Sequence, residues 1–234
     1  MRTSFVQLIF VILLPALFSC SKSNINTMDQ GSIPDTSKTY LALGDSYTIG
    51  QSVTEPERFP KQTVSLLRSQ GIKINDPKII ATTGWTTKNL IDAINTTTLQ
   101  NNYDVVSLLI GVNNQYQGRS IDEYKTEFTI LLNRVIQYAG SKSTHIFVLS
   151  IPDYSVTPFA SGSDKAKIAA EIGQFNLANK TISFQLGVNY IDITPISGEN
   201  DPSLIASDGL HPSGKQYKRW VDLLTPMIKN VIGQ

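Results

Sequence analysis

Tyr40-Leu41-Ala42-Leu43-Gly44-Asp45-Ser46-Tyr47-Thr48-Ile49-Gly50 decides how the rest of this chain is read. Residues 40–43 are a short apolar run bounded by turn formers, the pattern of a strand buried on both faces. Gly44 stops it, because glycine lets the backbone turn without a side-chain clash. Asp45 and Ser46 follow, and such residues favour turns and helix caps because their oxygens accept from free backbone N–H groups. The stretch therefore predicts a strand, a tight turn and a helix, with Ser46 at the C-terminal end of the strand. In an open α/β sheet that edge is where ligands bind. A serine there, backed by a rigid strand and close to unpaired N–H groups, has the setting of a nucleophile with an oxyanion site. A Gly-Asp-Ser tripeptide by itself is also an ordinary capped turn, so the case depends on what else the chain supplies.

Outward from this stretch the pattern alternates. Apolar runs at 40–43, 78–82, 104–110, 145–151 and 188–193 are separated by segments of helical period at 59–70, 86–97, 121–138, 165–186 and 214–231. Strands alternating with helices predict an α/β fold with a parallel sheet and helices on both faces. The runs at 104–110 and 145–151 are continuously apolar in the middle, as central parallel strands are. In the strand order 2-1-3-4-5 the C-terminal ends of strands 2, 1 and 3 lie side by side, with the switch point between 1 and 3. That order gathers three loops around one crevice: the turn at Gly84 after strand 2, Ser46 after strand 1, and Gly111-Val112-Asn113-Asn114 after strand 3. Gly84 reads either as a backbone donor with no side chain in the way or as a plain turn glycine. Asn113 can aim its amide across the top of the sheet, although either asparagine can also serve a turn at positive φ.

A base is needed, and the chain has 2 histidines. His145 opens strand 4 at the opposite edge of the sheet and reads as structural or solvent-facing. His211 lies in Ser207-Asp208-Gly209-Leu210-His211-Pro212, just before the last helix. Asp208, three residues earlier, can reach Nδ1 of His211 in a compact turn, fixing the tautomer and leaving Nε2 free to take the Ser46 proton. The bland reading of the same residues is a loop leading into a helix, with a surface histidine.

The 234 residues suffice for one domain with a full core; 41% are hydrophobic and 17% charged, against a usual charged share of about 25%. A net charge of +1 and no basic stripe give no sign of a nucleic-acid partner. Arg2 followed by the apolar run 5–18, broken by Gln7, is too short for a bilayer span of about 20 residues and matches a secretory signal. Leu17-Phe18-Ser19-Cys20 resembles a bacterial lipobox, with Cys20, the only cysteine, at the position that becomes lipidated. Residues 1–19 are thus expected to be a lipoprotein signal peptide. Residues 20–38, rich in Ser, Asn, Thr, Asp, Gly and Pro, are expected to be a flexible tether to a membrane. Residues 39–234 are expected to form the domain.

Taken together, Gly44-Asp45-Ser46, the block at Gly84, Gly111-Val112-Asn113-Asn114 and Asp208-Gly209-Leu210-His211-Pro212 resemble the SGNH, or GDSL-type, hydrolase superfamily over almost the whole domain. The resemblance implies a flavodoxin-like three-layer α/β/α sandwich around a five-stranded parallel sheet. It also implies ester hydrolysis without metal or other cofactor. Carried over motif by motif, Ser46 is the nucleophile, His211 the base and Asp208 the orienting acid. The oxyanion hole is then the Ser46 N–H, the Gly84 N–H and the Asn113 side chain. Three positions depart from the pattern: Tyr47 replaces a common Leu, Asn114 replaces a frequent Asp, and Gly84 lacks the usual flanking residues. The expected substrate is a small ester, either a lysophospholipid or other short acyl ester, or acetyl groups on a polysaccharide. The expected location is the bacterial cell envelope, by the N-terminal lipid anchor, with no obligate protein partner. A surface binding module with the same fold and no turnover is the rival from another class.

Overall fold

Tyr40–Gly44 forms β1, whose residues are all buried, in a computed structural model that describes residues 37–199 and 201–233. The single turn α1 (Ser46–Ile49) follows, and then α2 (Phe59–Ser69), β2 (Lys78–Ala81), α3 (Thr87–Thr96), β3 (Val105–Leu109) and the short α4 (Val112–Tyr116). The chain continues through α5 (Ile121–Tyr138), β4 (Ile146–Leu149), α6 (Lys165–Gln185), β5 (Asn189–Ile191), α7 (Thr194–Ser197) and α8 (Gly214–Ile232). The five strands form one all-parallel sheet in the order β2-β1-β3-β4-β5. This is the α/β architecture and strand order read from the sequence.

Right-handed crossovers explain the layers. The chain moves one way from β1 to β2 and the other way through β3, β4 and β5. Helix α2 therefore lies on one face, where it packs against α8, while α5 packs between α3 and α6 on the other. Each long helix is built for this. In α5, Ser120 caps the first turn by accepting from the Glu123 N–H, and Tyr124, Phe128, Leu131, Leu132 and Val135 form its buried stripe. In α8, Ser213 caps by accepting from the Gln216 N–H, and Tyr217, Trp220, Val221, Leu224 and Ile228 face inward.

Gly44 shows why the strand must end as it does. A Cβ there would fall 2.1 Å from Thr48 Oγ1 and 2.3 Å from the Leu109 carbonyl oxygen. Only glycine lets α1 fold back so closely against the ends of β1 and β3.

Residues 111–114, expected as a loop beyond strand 3, instead enter helix α4. Gly111 takes the unusual backbone angle itself, with φ of 131°. Neither asparagine sits at positive φ, and both continue helically. Near the start of the described residues Lys38, expected as the last residue of the tether, instead pairs with Ile74 in an isolated parallel bridge, so the domain begins before residue 39. Cys20, the segment 1–19 and residues 20–36 of the expected tether lie outside the described residues. Among the described residues no helix is long and apolar enough to cross a membrane.

Candidate active site

Asp45 caps α1. Its Oδ1 accepts from the Tyr47 N–H at 3.0 Å, which closes the turn that presents Ser46. Burial, partly opposed by hydrogen bonds from the Tyr47 and Asp45 N–H groups, pushes the Asp45 carboxyl up to about 7. Its other oxygen, Oδ2, is buried without a partner. Asp45 is thus a structural part of the turn that carries Ser46, with an uncomfortable charge.

Ser46 is 5% exposed and His211 7% exposed, and both line a cleft of about 130 Å³ at the C-terminal edge of the sheet. Among the described residues no hydrogen bond joins Ser46 Oγ to His211. His211 is held from behind. Its Nδ1 lies 2.6 Å from Asp208 Oδ2, while Asp208 Oδ1 accepts from the backbone N–H groups of Leu210 and His211, each at 3.0 Å. The loop is closed at its base by an antiparallel bridge between Ile205 and Pro212, with the Ala206 N–H donating to the His211 carbonyl at 2.7 Å. Desolvation pulls the Asp208 carboxyl up. Hydrogen bonds from Ser52, from the His211 ring and from the His211 and Leu210 N–H groups outweigh it, and Asp208 ends well below the usual carboxylate range. It stays ionised throughout the working pH range.

The residues expected as oxyanion donors meet at the same cleft. Gly84 and Asn113 both line it. Gly84 sits at φ of 84°, a left-handed conformation that side-chain-bearing residues avoid. Asn113 Nδ2 donates one hydrogen to the Trp85 carbonyl at 2.9 Å, which ties strand loops 2 and 3 together and leaves the second hydrogen uncommitted. Asn114 does not line the cleft. It is buried, with Oδ1 accepting from the Thr87 N–H at 3.0 Å and Nδ2 donating to Thr87 Oγ1 at 2.7 Å. Neighbouring side chains on one helical turn thus point to different tasks.

Apart from Thr83, the remaining wall is largely apolar: Tyr47, Val112, Tyr116, Tyr154, Phe159 and Leu210. Tyr116 (60% exposed) and Phe159 (46%) stand at the mouth with Tyr154 beneath, ring centroids 6.0 to 6.4 Å apart. Tyr116 comes from α4, while Tyr154 and Phe159 come from the segment after β4, which forms a lid beside the cleft. Residues 154–160 form two short 3-10 turns, and the Phe159 N–H donates to the Gly209 carbonyl at 3.0 Å, docking this lid on the loop of His211.

His145 takes no part. It ends a 3-10 turn before β4, with Nδ1 2.8 Å from the Asp104 carbonyl oxygen, at the far edge of the sheet. Two contacts have no signature in the sequence. Tyr47, the departure after Gly-Asp-Ser, is buried edge-on against the His211 ring at 5.6 Å, a pairing between distant segments. Ser52 donates to Asp208 Oδ2 at 2.6 Å across a separation of 156 residues. Among the described residues no group of three His, Cys, Asp or Glu side chains is arranged to hold a metal ion.

A doubly wound α/β sheet with a serine, a carboxylate-bound histidine, a glycine and an asparagine lining one cleft at its C-terminal edge has the arrangement of a hydrolase of the SGNH type. The model of the GDSL-like lipase/acylhydrolase family matches residues 42–219, and the chain belongs to that family. It is a carboxylic ester hydrolase. Solved structures share the fold at low identity. One is TesA, at 15% identity and a TM-score of 0.65, covering 83% of this chain and 100% of its own. Another is a lipase/acylhydrolase from Enterococcus faecalis, at 15% and 0.63, covering 82% and 96%. A third is Axe2, an acetyl xylan esterase from Geobacillus stearothermophilus, at 17% and 0.59, covering 82% and 94%. No curated protein matches the chain by sequence.

Proposed function

We propose that this chain cleaves short acyl esters through a Ser46–His211–Asp208 triad and an acyl-enzyme. The observation that carries the reading is the 2.6 Å contact between His211 Nδ1 and Asp208 Oδ2 behind a cleft that Ser46, Gly84 and Asn113 also line. His211 Nε2 takes the proton of Ser46 Oγ as the oxygen attacks the ester carbonyl. Asp208, kept ionised by its donors, stabilises the imidazolium and holds its tautomer. The oxyanion receives the Ser46 and Gly84 N–H groups and the free hydrogen of the Asn113 amide, each worth about 2.7–4 kcal/mol in comparable sites. His211 then protonates the leaving alcohol, and water activated by the same imidazole releases the acid.

The apolar wall favours an acyl group, with lysophospholipids or short-chain acyl esters as substrates. A second reading, deacetylation of a polysaccharide, is favoured by the exposed Tyr116 and Phe159 rings at the mouth, which offer flat faces to a sugar. The N-terminal segment would anchor the domain through Cys20, with residues 1–19 removed as signal and residues 20–37 as tether, since Lys38 is already paired with Ile74 in the domain, in a bacterial envelope.

The test is a fluorophosphonate probe followed by peptide mass mapping. The adduct belongs on Ser46 and should vanish in Ser46→Ala, together with several orders of magnitude of kcat. An adduct elsewhere, or more than about a tenth of the activity retained, refutes the triad. p-Nitrophenyl esters from acetyl to palmitoyl, run beside acetylated xylan and lysophosphatidylcholine, separate the two substrate readings.

A further inference from the structure

We propose that Ser52 is a positioning residue of this hydrolase, its hydroxyl fixing the Asp208 carboxylate to the loop that carries the nucleophile. The inference rests on Asp208 being the partner of His211 in catalysis, as proposed above. A carboxylate offers about four acceptor directions, and in Asp208 all are filled. Oδ1 takes the Leu210 and His211 N–H groups, while Oδ2 takes the His211 ring and Ser52 Oγ, both at 2.6 Å. Three of these donors belong to Asp208's own turn and travel with it. Ser52 alone comes from another part of the chain, just beyond α1.

The backbone of Ser52 carries the second observation. Its φ is 64°, in the left-handed region, where only Ser141 joins it among the described non-glycine residues. A plain turn at that position is better served by Gly or Asn. A serine held in a disfavoured conformation, with its hydroxyl on a catalytic carboxylate, is the kind of outlier that marks a functional constraint. Its neighbours extend the pattern. Gly50 caps α1 at φ of 73°, and Gln51 Oε1 accepts from Thr83 Oγ1 at 2.8 Å, next to Gly84. Residues 50–52 thus clasp the acid loop on one side and the oxyanion loop on the other.

The chemical consequence has a definite sign. A hydroxyl donating to Oδ2 draws negative charge away from the oxygen that holds the imidazolium. Without it, Asp208 stabilises the charged His211 more strongly, and the imidazole becomes more basic. The other groups facing this pair stay in place when Ser52 is changed. They are Tyr47 from α1, Asp153 and Tyr154 from the lid, and Tyr217 from α8 with Arg58 behind it.

The experiment is the pH profile of kcat/KM on p-nitrophenyl acetate for Ser52→Ala and Ser52→Gly. Glycine adopts the native φ without strain, so a folding defect confined to the alanine variant is recognised as such. In both variants the acid limb should move to higher pH by about half a unit. The plateau kcat should fall about 3- to 10-fold with KM little changed. A profile that superimposes on that of the unsubstituted protein overturns the proposal. So does a lower plateau with no shift and a falling melting temperature, which is what a purely structural serine would give. Asp208→Ala is measured alongside. If it stays active, the acid assignment itself fails and the Ser52 proposal falls with it. If it is inactive while both Ser52 variants behave normally, only the Ser52 proposal falls.

Discussion

Asn113 and Asn114 are adjacent amides at the start of α4, and substituting each by alanine should give opposite failures. Asn113 lines the cleft with one amide hydrogen spent on the Trp85 carbonyl and the other free. In the proposed oxyanion hole that hydrogen donates more strongly to an oxyanion than to a ground-state carbonyl, so its loss acts on kcat rather than KM. Removal of one such donor costs about 2.7–4 kcal/mol of transition-state stabilisation, or roughly 10²–10³ in kcat. Asn114 bonds twice to Thr87, at the first turn of α3, in a fully buried position. Asn114→Ala strands the Thr87 N–H without an acceptor and removes a donor from its hydroxyl, a loss of about 2–4 kcal/mol of stability. For a domain of this size that lowers the melting temperature by roughly 5–15 °C. The assay is kcat and KM on one activated ester at a temperature where both variants are folded by circular dichroism, together with thermal melts. A larger kcat loss in Asn114→Ala than in Asn113→Ala would show the oxyanion register to be wrong by one residue.

Two further outcomes are expected. Asp45 titrates at about 7 in the folded chain, against 3.8 for a free carboxyl. Between those values the native state holds a proton that the unfolded state has lost, so this group's contribution to stability falls as pH rises through that window, by on the order of 4 kcal/mol at most. Asp45→Asn keeps the capping oxygen and removes the titration, so relative to the unsubstituted protein it should gain stability as pH rises from about 4 to about 7 and hold level above that, in chemical denaturation; a difference independent of pH counts against the buried-charge argument. For the proposed anchor, the full chain expressed in a bacterial host should take up labelled palmitate and fractionate with membranes, and Cys20→Ala should lose both while keeping esterase activity. A wild type released in soluble form without lipid would refute the anchor and leave the enzyme untouched.

Much of this protein is decided locally, and so can be read from the chain alone. The apolar runs of β1, β3 and β4 are buried on both faces, which leaves them unbroken in sequence, and the stripes of α5 and α8 repeat with helical period because each meets the sheet along one face. The Asp208–His211 contact is also local: three residues and a tight turn bring the groups together, so the motif announces itself. Gly44 is determined in the same way, since the close return of α1 leaves no room for a side chain. The handedness of crossovers then assigns each helix to its face once the strand order is given, and the order β2-β1-β3 is what brings Ser46, Gly84 and Asn113 to one edge.

Tertiary structure decided what depends on contacts between distant segments. Residues 111–114 form the start of a helix because Gly111 absorbs the backbone turn, and that choice sends Asn113 to the cleft and Asn114 to Thr87. Tyr47 became a wall for His211, and Phe159 reached the His211 loop through its backbone. Ser52 found Asp208 across 156 residues. None of these pairings has a period or a spacing along the chain. Each exists because the sheet edge brings loops from four strands within hydrogen-bond reach, and a hydrogen bond between side chains depends on positions in space that no local pattern encodes.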